Sequence, residues 1–364
     1  MKKIVFLGTS LGCGGAEHQC ALLMNMLVDK GYDVTFAAFS EIKDHYYVSS
    51  NVKRVWLGIG KSKIRKLMEI EKYMLTVKTD VVVAFEQRIS TLALFPMLFR
   101  PNIRVISSER NFTAGVPSIF EKILIKTSLY RRANFIVSNN YSQARYLANK
   151  MPCIAKKLHV ITNYTDIDTY IPKPTSINKI PQIGIFCRFE RQKNFHRFLE
   201  MLCFLKKRNV NRFHVDWYGN QKFKSDVQKN YFEEGVKKIH EYDVADMISI
   251  HEPTHEVAKL ISSFDILCLP SLHEGFSNSI SEYICCGKPV ICSDVSDNNI
   301  MVHEGENGFL FNPLDVEDMA RAFICFLNTT TEKLQEMSKK SREIAETLFD
   351  KERFINDYIK LIEA

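Results

Sequence analysis

Short apolar runs rich in β-formers alternate with longer amphipathic stretches along the whole chain. Ile4–Leu7 predicts a buried strand and Ala16–Lys30 an amphipathic helix ended by Gly31, with Val34–Phe39 and Val52–Leu57 as the next strands. Ile64–Lys78 has helical spacing, with Ile64, Leu67, Met68, Tyr73 and Leu75 as its apolar positions. Val81–Phe85, Arg104–Ser107 and Phe135–Val137 continue the series as buried strands. Ile171-Pro172-Lys173-Pro174-Thr175-Ser176 has the composition of a linker, and Ile180-Pro181 restarts the chain in an extended conformation. Ile183–Cys187, Phe213–Tyr218, Ile248–Ile250, Ile266–Leu269 and Pro289–Cys292 then predict strands. Helices are expected near Asn194–Arg208 and from about Ser277 and Asp315, while Leu334–Ala364 is helical with no strand after it.

Alternation of this kind builds βαβ units around parallel sheets. A chain of 364 residues exceeds an ordinary single core. The expectation is therefore an α/β protein of two Rossmann-like, doubly wound domains, 1–171 and 172–345. Ligands of open α/β sheets bind beyond the carboxyl ends of the strands, so two such edges facing across a cleft would make that cleft the site.

Composition narrows the class only a little. The chain is 46% hydrophobic and 25% charged, ordinary for a globular protein. No apolar run reaches the roughly 18 residues of a transmembrane helix. The run after Met1-Lys2-Lys3 is too short for the core of a signal peptide and reads better as a first strand. Ten cysteines include no Cys-x-x-Cys pair or zinc-like grouping. Cys187, Cys268 and Cys292 lie in strand-like runs, so no disulfide framework is expected, and the expected compartment is the cytoplasm.

Charge adds more. Residues 1–170 carry 24 Lys and Arg against 13 Asp and Glu, a net +11, while the remainder carries 25 against 29, a net −4. A basic first half implies an anionic partner: a membrane surface, a phosphorylated substrate or nucleic acid. Nucleic acid has only the charge behind it, without an aromatic-interleaved basic motif, and is not expected. The apolar and basic stretch Ile119–Arg132 could lie on an anionic bilayer at the inner face of the cytoplasmic membrane. A core-packed helix with a solvated basic face reads the same way.

Several segments carry chemistry. The first strand runs into Gly8-Thr9-Ser10-Leu11-Gly12-Cys13-Gly14-Gly15-Ala16-Glu17, where Gly14 and Gly15 allow close backbone approach to a ligand at a helix start. It fails as a dinucleotide fingerprint, because Glu17 stands where a third glycine is needed, and a plain tight turn is the alternative. Gly60-Lys61-Ser62 imitates a phosphate loop, but Val55 replaces the required earlier glycine, leaving an ordinary strand-to-helix turn.

In the second half, Cys187-Arg188-Phe189-Glu190-Arg191-Gln192-Lys193-Asn194 follows a strand. Arg188 and Lys193 can both point from its end and stabilise a pyrophosphate leaving group without a metal. Two solvated surface cations are the alternative. Pro270-Ser271-Leu272-His273-Glu274-Gly275-Phe276-Ser277-Asn278-Ser279-Ile280-Ser281-Glu282 follows another apolar strand and opens a helix. Glu274 can lie near a sugar and Glu282 near ribose hydroxyls, with the N–H groups around Ser277–Ser279 turned to phosphate. A cap and a solvated face would explain either glutamate singly. His273 reads best as a structural histidine, and Cys285-Cys286 as packing residues.

The Glu274–Glu282 string, with Gly287-Lys288-Pro289-Val290 and Gly305-Glu306-Asn307-Gly308-Phe309-Leu310, resembles the retaining glycosyltransferases of family 4, which have the GT-B fold. Arg188, Lys193, Gly14-Gly15 and Asn163-Tyr164 occur in the family's order, so the resemblance spans essentially the whole chain. It implies that Glu274 lies by the donor sugar, that Glu282 binds the ribose and that Arg188 and Lys193 hold the diphosphate. It further implies that Gly14, Gly15, Gly219, Gly275, Phe276, Ser277, Asn278 and Ser279 line the donor site, and that a last helix, 346–364, crosses back to the first domain. One departure stands out. Many relatives carry a histidine near the sugar in the first domain, and here the matching loop reads Ser108-Glu109-Arg110-Asn111, similar to bacterial enzymes that act on lipid-linked or polysaccharide acceptors. Glu109 could orient the acceptor hydroxyl or stabilise positive charge on the sugar, or it could pair structurally with Arg110.

The expected function is transfer of a hexose-type sugar, with retained anomeric configuration, from a UDP- or GDP-sugar to a hydroxyl of a glycan or lipid-linked acceptor. Surface polysaccharide or glycoconjugate synthesis is the expected setting, without a cofactor or metal. A GT-B nucleotide-sugar epimerase is the alternative within the fold, exposed by isomer formation from donor alone. A non-catalytic sugar-nucleotide-binding subunit is the other, excluded by donor turnover.

Overall fold

The computed structural model describes residues 2–364 apart from 13, 41–43, 59, 61, 97–98, 101, 111–118, 173–177, 224 and 255. Cys13, Lys61, Asn111 and the later part of the expected linker therefore lie outside the described residues. The chain divides into two compact units, Met1–Tyr164 with Lys351–Ala364, and Thr165–Asp350.

The first unit is built on a seven-stranded sheet in the order β3-β2-β1-β4-β5-β6-β7. Its strands are β1 Lys3–Gly8, β2 Asp33–Ala38, β3 Lys53–Trp56, β4 Val81–Phe85, β5 Arg104–Glu109, β6 Phe135–Ser138 and β7 Leu158–Val160. Every pair is parallel. Its helices are α1 Gly15–Asp29, α2 Lys63–Thr76, α3 Gln87–Leu94, α4 Ile119–Lys126, α5 Tyr141–Lys150 and, from the far end of the chain, α13 Lys351–Glu363. All five residues of β4 are buried, as the continuous apolar run Val81–Phe85 requires of a strand covered on both faces.

Of two expected helices, the first forms as the spacing predicts and the second is interrupted. On α2 the core takes Ile70 and Met74, with Tyr73 half-buried, while Ile64, Leu67, Met68 and Leu75 face outward. The helix is the one the spacing predicts, and it has apolar residues on both of its faces, with α2 following the edge strand β3. The expected helix Ile119–Arg132 is instead α4 followed by a 3-10 turn, Leu129–Arg132, with Ser128 between them in the left-handed region at φ 55°. Leu124 is buried, and Lys122, Lys126, Arg131 and Arg132 are exposed, so this stretch is core-packed with a solvated basic face.

α13 belongs to the first unit through both charge and packing. Lys2 pairs with Glu363 at 3.0 Å and Lys30 with Glu352 at 2.8 Å. Phe354 lies against Tyr164, with ring centroids 5.6 Å apart.

The second unit has a six-stranded sheet in the order β10-β9-β8-β11-β12-β13. Its strands are β8 Gln182–Phe186, β9 His214–Tyr218, β10 Ile248–His251, β11 Ile266–Leu269, β12 Val290–Ser293 and β13 Gly308–Phe311, again all parallel. The helices are α6 Phe195–Lys206, α7 Asp226–Glu241, α8 Val257–Ile261, α9 Asn278–Cys285, α10 Asn298–Met301, α11 Val316–Leu327 and α12 Thr331–Leu348. Trp217 of β9 anchors the core, with Phe195, Phe198 and Phe189 at centroid distances of 5.0, 5.3 and 5.5 Å. Side-chain caps stand where the sequence placed helix starts: Ser277 accepts from the Ile280 N–H, and Asp315 accepts from those of Glu317 and Asp318. The strand order reverses between β8 and β11, and such a switch point opens a crevice at the carboxyl ends of the two strands.

Candidate functional site

The two most informative loops of the second unit leave the sheet on either side of that switch point. One follows β8 and ends in a 3-10 turn, Arg191–Lys193; the other follows β11 and leads into α9. They are tied together by main-chain and side-chain bonds: the Leu272 N–H donates to the Gln192 carbonyl at 2.7 Å, and the Gln192 amide donates to the His273 carbonyl at 2.8 Å. Asn194, in the left-handed region at φ 62°, turns the chain into α6 and donates to the Pro313 carbonyl at 2.8 Å.

This fastening brings Lys193 Nζ to 2.5 Å from Glu274 Oε1, with the side chains only 12% and 10% exposed. Burial disfavours the Lys193 ammonium, yet the carboxylate beside it outweighs that and holds its pKa above the ordinary value. A buried ion pair of this kind stores two charges whose partners can be exchanged when an anion arrives. Arg188 behaves differently. Its side chain is 61% exposed and meets Glu190 at 3.3 Å, leaving the guanidinium at the solvent edge of the same loop. The alternative of two solvated cations thus fits Arg188 and not Lys193.

The Gly275–Ser279 string forms the entry to α9. Phe276 is buried and meets Phe349 edge-on at 6.4 Å. Ser279 donates to the Phe186 carbonyl at 3.0 Å and, four residues on, the Tyr283 hydroxyl accepts from the Phe186 N–H at 3.0 Å. Ser279, Glu282 and Tyr283 share a helix face, so Glu282 is set over the carboxyl end of β8. Glu282 is partly buried and hydrogen-bonded by the Tyr170 hydroxyl. Burial pushes its pKa up to about 7, with the Tyr170 bond working the other way. Gly219, after β9, has a packing reason to be glycine. A Cβ there would stand 2.6 Å from the Cys187 carbonyl oxygen and 2.7 Å from the Phe189 ring.

Gly14, Gly15 and Glu109 lie in the first unit. Gly14 precedes α1 in an ordinary extended conformation, and Gly15 is the first helical residue. Gln19 fixes α1 by bonding both main-chain groups of Tyr164, at 2.7 and 2.9 Å. Glu109 ends β5 at 0% exposure. Ser107 Oγ lies 3.5 Å from its Oε1, while Oε2 has no hydrogen-bond partner among the described residues, and the Tyr130 and Gln87 side chains lie near enough to favour the charged form. Burial raises its pKa to about 7 against the influence of Tyr130, Gln87 and Ser107. Arg110 does not pair with it. That guanidinium bonds Ser108 at 2.8 Å, Asn163 at 3.0 Å and the Tyr358 hydroxyl, and lies 4.5 Å over the Phe85 ring.

Sequence patterns gave no hint of Glu86. It stands just after β4, beside β1 where the first sheet reverses order, at φ 82° and ψ 152°, a region that side chains avoid. Burial and then the nearby Glu17 carboxylate raise its pKa. Tyr170 was equally invisible, because its contact with Glu282 links positions far apart in the chain.

Two parallel-sheet α/β units of this topology define the GT-B fold of glycosyltransferases. Crystal structures agree: Anabaena Alr3699/HepE in complex with UDP and glucose superposes with a TM-score of 0.82 at 17% identity, covering 100% of both chains. TarM superposes with a TM-score of 0.80 at 13% identity, covering 100% of this chain and 99% of its own. In sequence, residues 166–344 match the family model described as Glycosyl transferases group 1. An uncharacterized glycosyltransferase of Haemophilus influenzae is 26% identical over 369 residues, covering 95% of this chain and 96% of the relative. The N-acetylgalactosamine-N,N'-diacetylbacillosaminyl-diphospho-undecaprenol 4-alpha-N-acetylgalactosaminyltransferase of Campylobacter jejuni is 22% identical over 395 residues, covering 100% of both.

Proposed function

We propose that the protein is a retaining glycosyltransferase of family 4 that moves a hexose-type sugar from a UDP- or GDP-sugar to a hydroxyl of a glycan or lipid-linked acceptor. The buried Lys193–Glu274 pair beside the helix start at Ser277 carries this reading. A nucleoside diphosphate arriving at the switch point gives Lys193 a second anion, with the exposed Arg188 at the solvent edge to exchange Glu190 for the outer oxygens. The main chain of Gly275–Ser279 receives phosphate and sugar oxygens, Glu274 lies against the sugar, and Glu282 takes the ribose hydroxyls. As the bond from the anomeric carbon to the phosphate oxygen breaks, these cations stabilise the departing diphosphate, the work a metal would otherwise do. The acceptor oxygen bonds the same face of that carbon, and its proton passes to the leaving phosphate oxygen. Glu109 enters as the acid of the first unit on the acceptor side. UDP-glucose in an Alr3699/HepE structure supports the donor class. The Campylobacter relative, whose name gives a diphospho-undecaprenol acceptor, supports the lipid-linked one.

We propose further that the first unit contacts an anionic lipid surface through α2. Its outward Ile64, Leu67, Met68 and Leu75 are flanked by exposed Arg65 and Lys72.

A panel of UDP- and GDP-sugars tests the donor assignment by thermal shift. The cognate donor raises the apparent Tm by mass action, and Lys193→Ala abolishes that rise and lowers turnover by about 100-fold or more. Because the substitution strands Glu274, it also destabilises by about 3 kcal/mol, which Lys193→Ala/Glu274→Gln relieves without restoring turnover. Full turnover in Lys193→Ala removes the assignment.

A further inference from the structure

The segment just before the expected linker is held with unusual firmness. Asp166 turns it, accepting from the Thr169 hydroxyl at 2.8 Å and the Asp168 N–H at 3.2 Å. Arg342 of α12 then clasps it: Nη1 donates to the carbonyls of Ile167, Tyr170 and Cys285 at 3.2, 2.9 and 2.7 Å. Nε of the same guanidinium pairs with Glu346 at 2.8 Å. One side chain therefore fixes the main chain of Tyr170 to the last turn of α9, the helix that bears Glu282. The Tyr170 hydroxyl, placed by that clasp, bonds the Glu282 carboxyl.

We propose that Tyr170 is a positioning residue for nucleotide recognition: clasped by Arg342, it occupies one side of the Glu282 carboxylate and presents the remaining acceptor capacity to the ribose hydroxyls of the donor. The inference rests on Glu282 being the ribose ligand. Ribose hydroxyls must donate to this group, and only an ionised carboxylate accepts through both oxygens. Burial drives Glu282 toward the protonated form, which offers a donor where an acceptor is needed, and the phenol bond opposes that drift. Among the described residues, the other titratable groups that feel the Glu282 charge are Tyr283 and Cys285 on α9 itself. Arg342, from the packed α12, is engaged by carbonyls and Glu346.

Tyr170→Phe keeps the ring and deletes the bond to the ionised form, so the Glu282 pKa rises and less carboxylate remains at neutral pH. The test is UDP and GDP affinity by calorimetry from about pH 6 to 9 for wild type, Tyr170→Phe and Glu282→Gln, with the transferase KM for donor read alongside kcat. In wild type, affinity for the preferred nucleotide increases through about pH 7. In Tyr170→Phe the midpoint moves up by about one pH unit, affinity at pH 7 falls several-fold and recovers near pH 9, and the loss appears in KM more than in kcat. Arg342→Lys, which loosens the clasp without touching the ring, shifts the midpoint the same way. An unmoved midpoint in Tyr170→Phe, with Glu282→Gln weakened at every pH, overturns the positioning role while sparing Glu282. Wild-type affinity in Glu282→Gln overturns the ribose assignment and the inference with it.

Discussion

Glu109 shows how far a single residue can be from its sequence-level portrait. Its place at the end of a strand was legible, because the apolar run Val105–Ser107 ends at the loop edge where functional groups collect. Its complete burial was not, since that depends on Tyr130 and Gln87 arriving from other parts of the chain. The raised pKa has a consequence for stability. A buried carboxyl titrating near 7 rather than near 4.5 binds a proton more tightly folded than unfolded. Its contribution is thus fully present below about pH 4.5 and is lost as the pH rises through about 7. Glu109→Gln, isosteric and uncharged, should flatten that part of the denaturation profile and leave the first unit more stable at pH 8 by about 3 kcal/mol. Chemical denaturation at pH 5 and pH 8 checks this. Turnover measured on the same variant separates the roles: loss of transfer in the stabilised variant assigns Glu109 to the reaction, and retained transfer confines it to the fold. Lys193 and Glu274 were legible as chemistry-bearing types, but their pairing was not. It exists because β8 and β11 are neighbours, a fact of strand order rather than of either motif.

Among the elements, buried strands and capped helices were the legible ones. β4 announces itself as an unbroken apolar run, and α9 and α11 by Ser277 and Asp315 at their starts. Short edge elements such as β7, three residues long, carry too little pattern to register. α2 was legible as a helix, but periodicity reports an apolar face without saying which way it points. Its outward stripe, with Glu71 within it, is the largest run of exposed aliphatic side chains on any one helix among the described residues. Burial already raises the Glu71 pKa, which lowers the cost of placing it against lipid. Vesicle flotation checks the docking proposal. The wild type should float with vesicles containing phosphatidylglycerol, less so as salt increases, and stay behind with phosphatidylcholine alone. Leu67→Glu/Met68→Glu should lose most of the binding at unchanged Tm, because both positions face solvent. Equal binding by that variant would discard α2 as the contact.

For the molecule as a whole, the division into two α/β units was readable from two successive alternations of strand and helix. The resemblance implied a last helix, 346–364, returning to the first domain, but the pattern itself does not place the division, because Leu334–Ala364 is helical almost throughout and only Phe349–Asp350 breaks it. α13 buries Phe354, Ile355, Tyr358, Leu361 and Ile362 in the first unit. Each such side chain is worth about 1.5–3 kcal/mol, so together they rival the whole stability of a typical domain. A chain ending at Asp350 should therefore leave the first unit open to limited proteolysis while the second survives as a resistant fragment, with mass spectrometry identifying the cuts. Equal resistance of both units would show that α13 is dispensable.

That discontinuity also sets an order of events on the ribosome. The unit begun first cannot close until the thirteen-residue α13 has left the exit tunnel, whereas Thr165–Asp350 is complete before α13 has been translated. The nascent chain must carry an unfinished N-terminal lobe through the synthesis of an entire second lobe, so ribosomes stalled before α13 is translated should hold a chaperone client rather than two finished lobes.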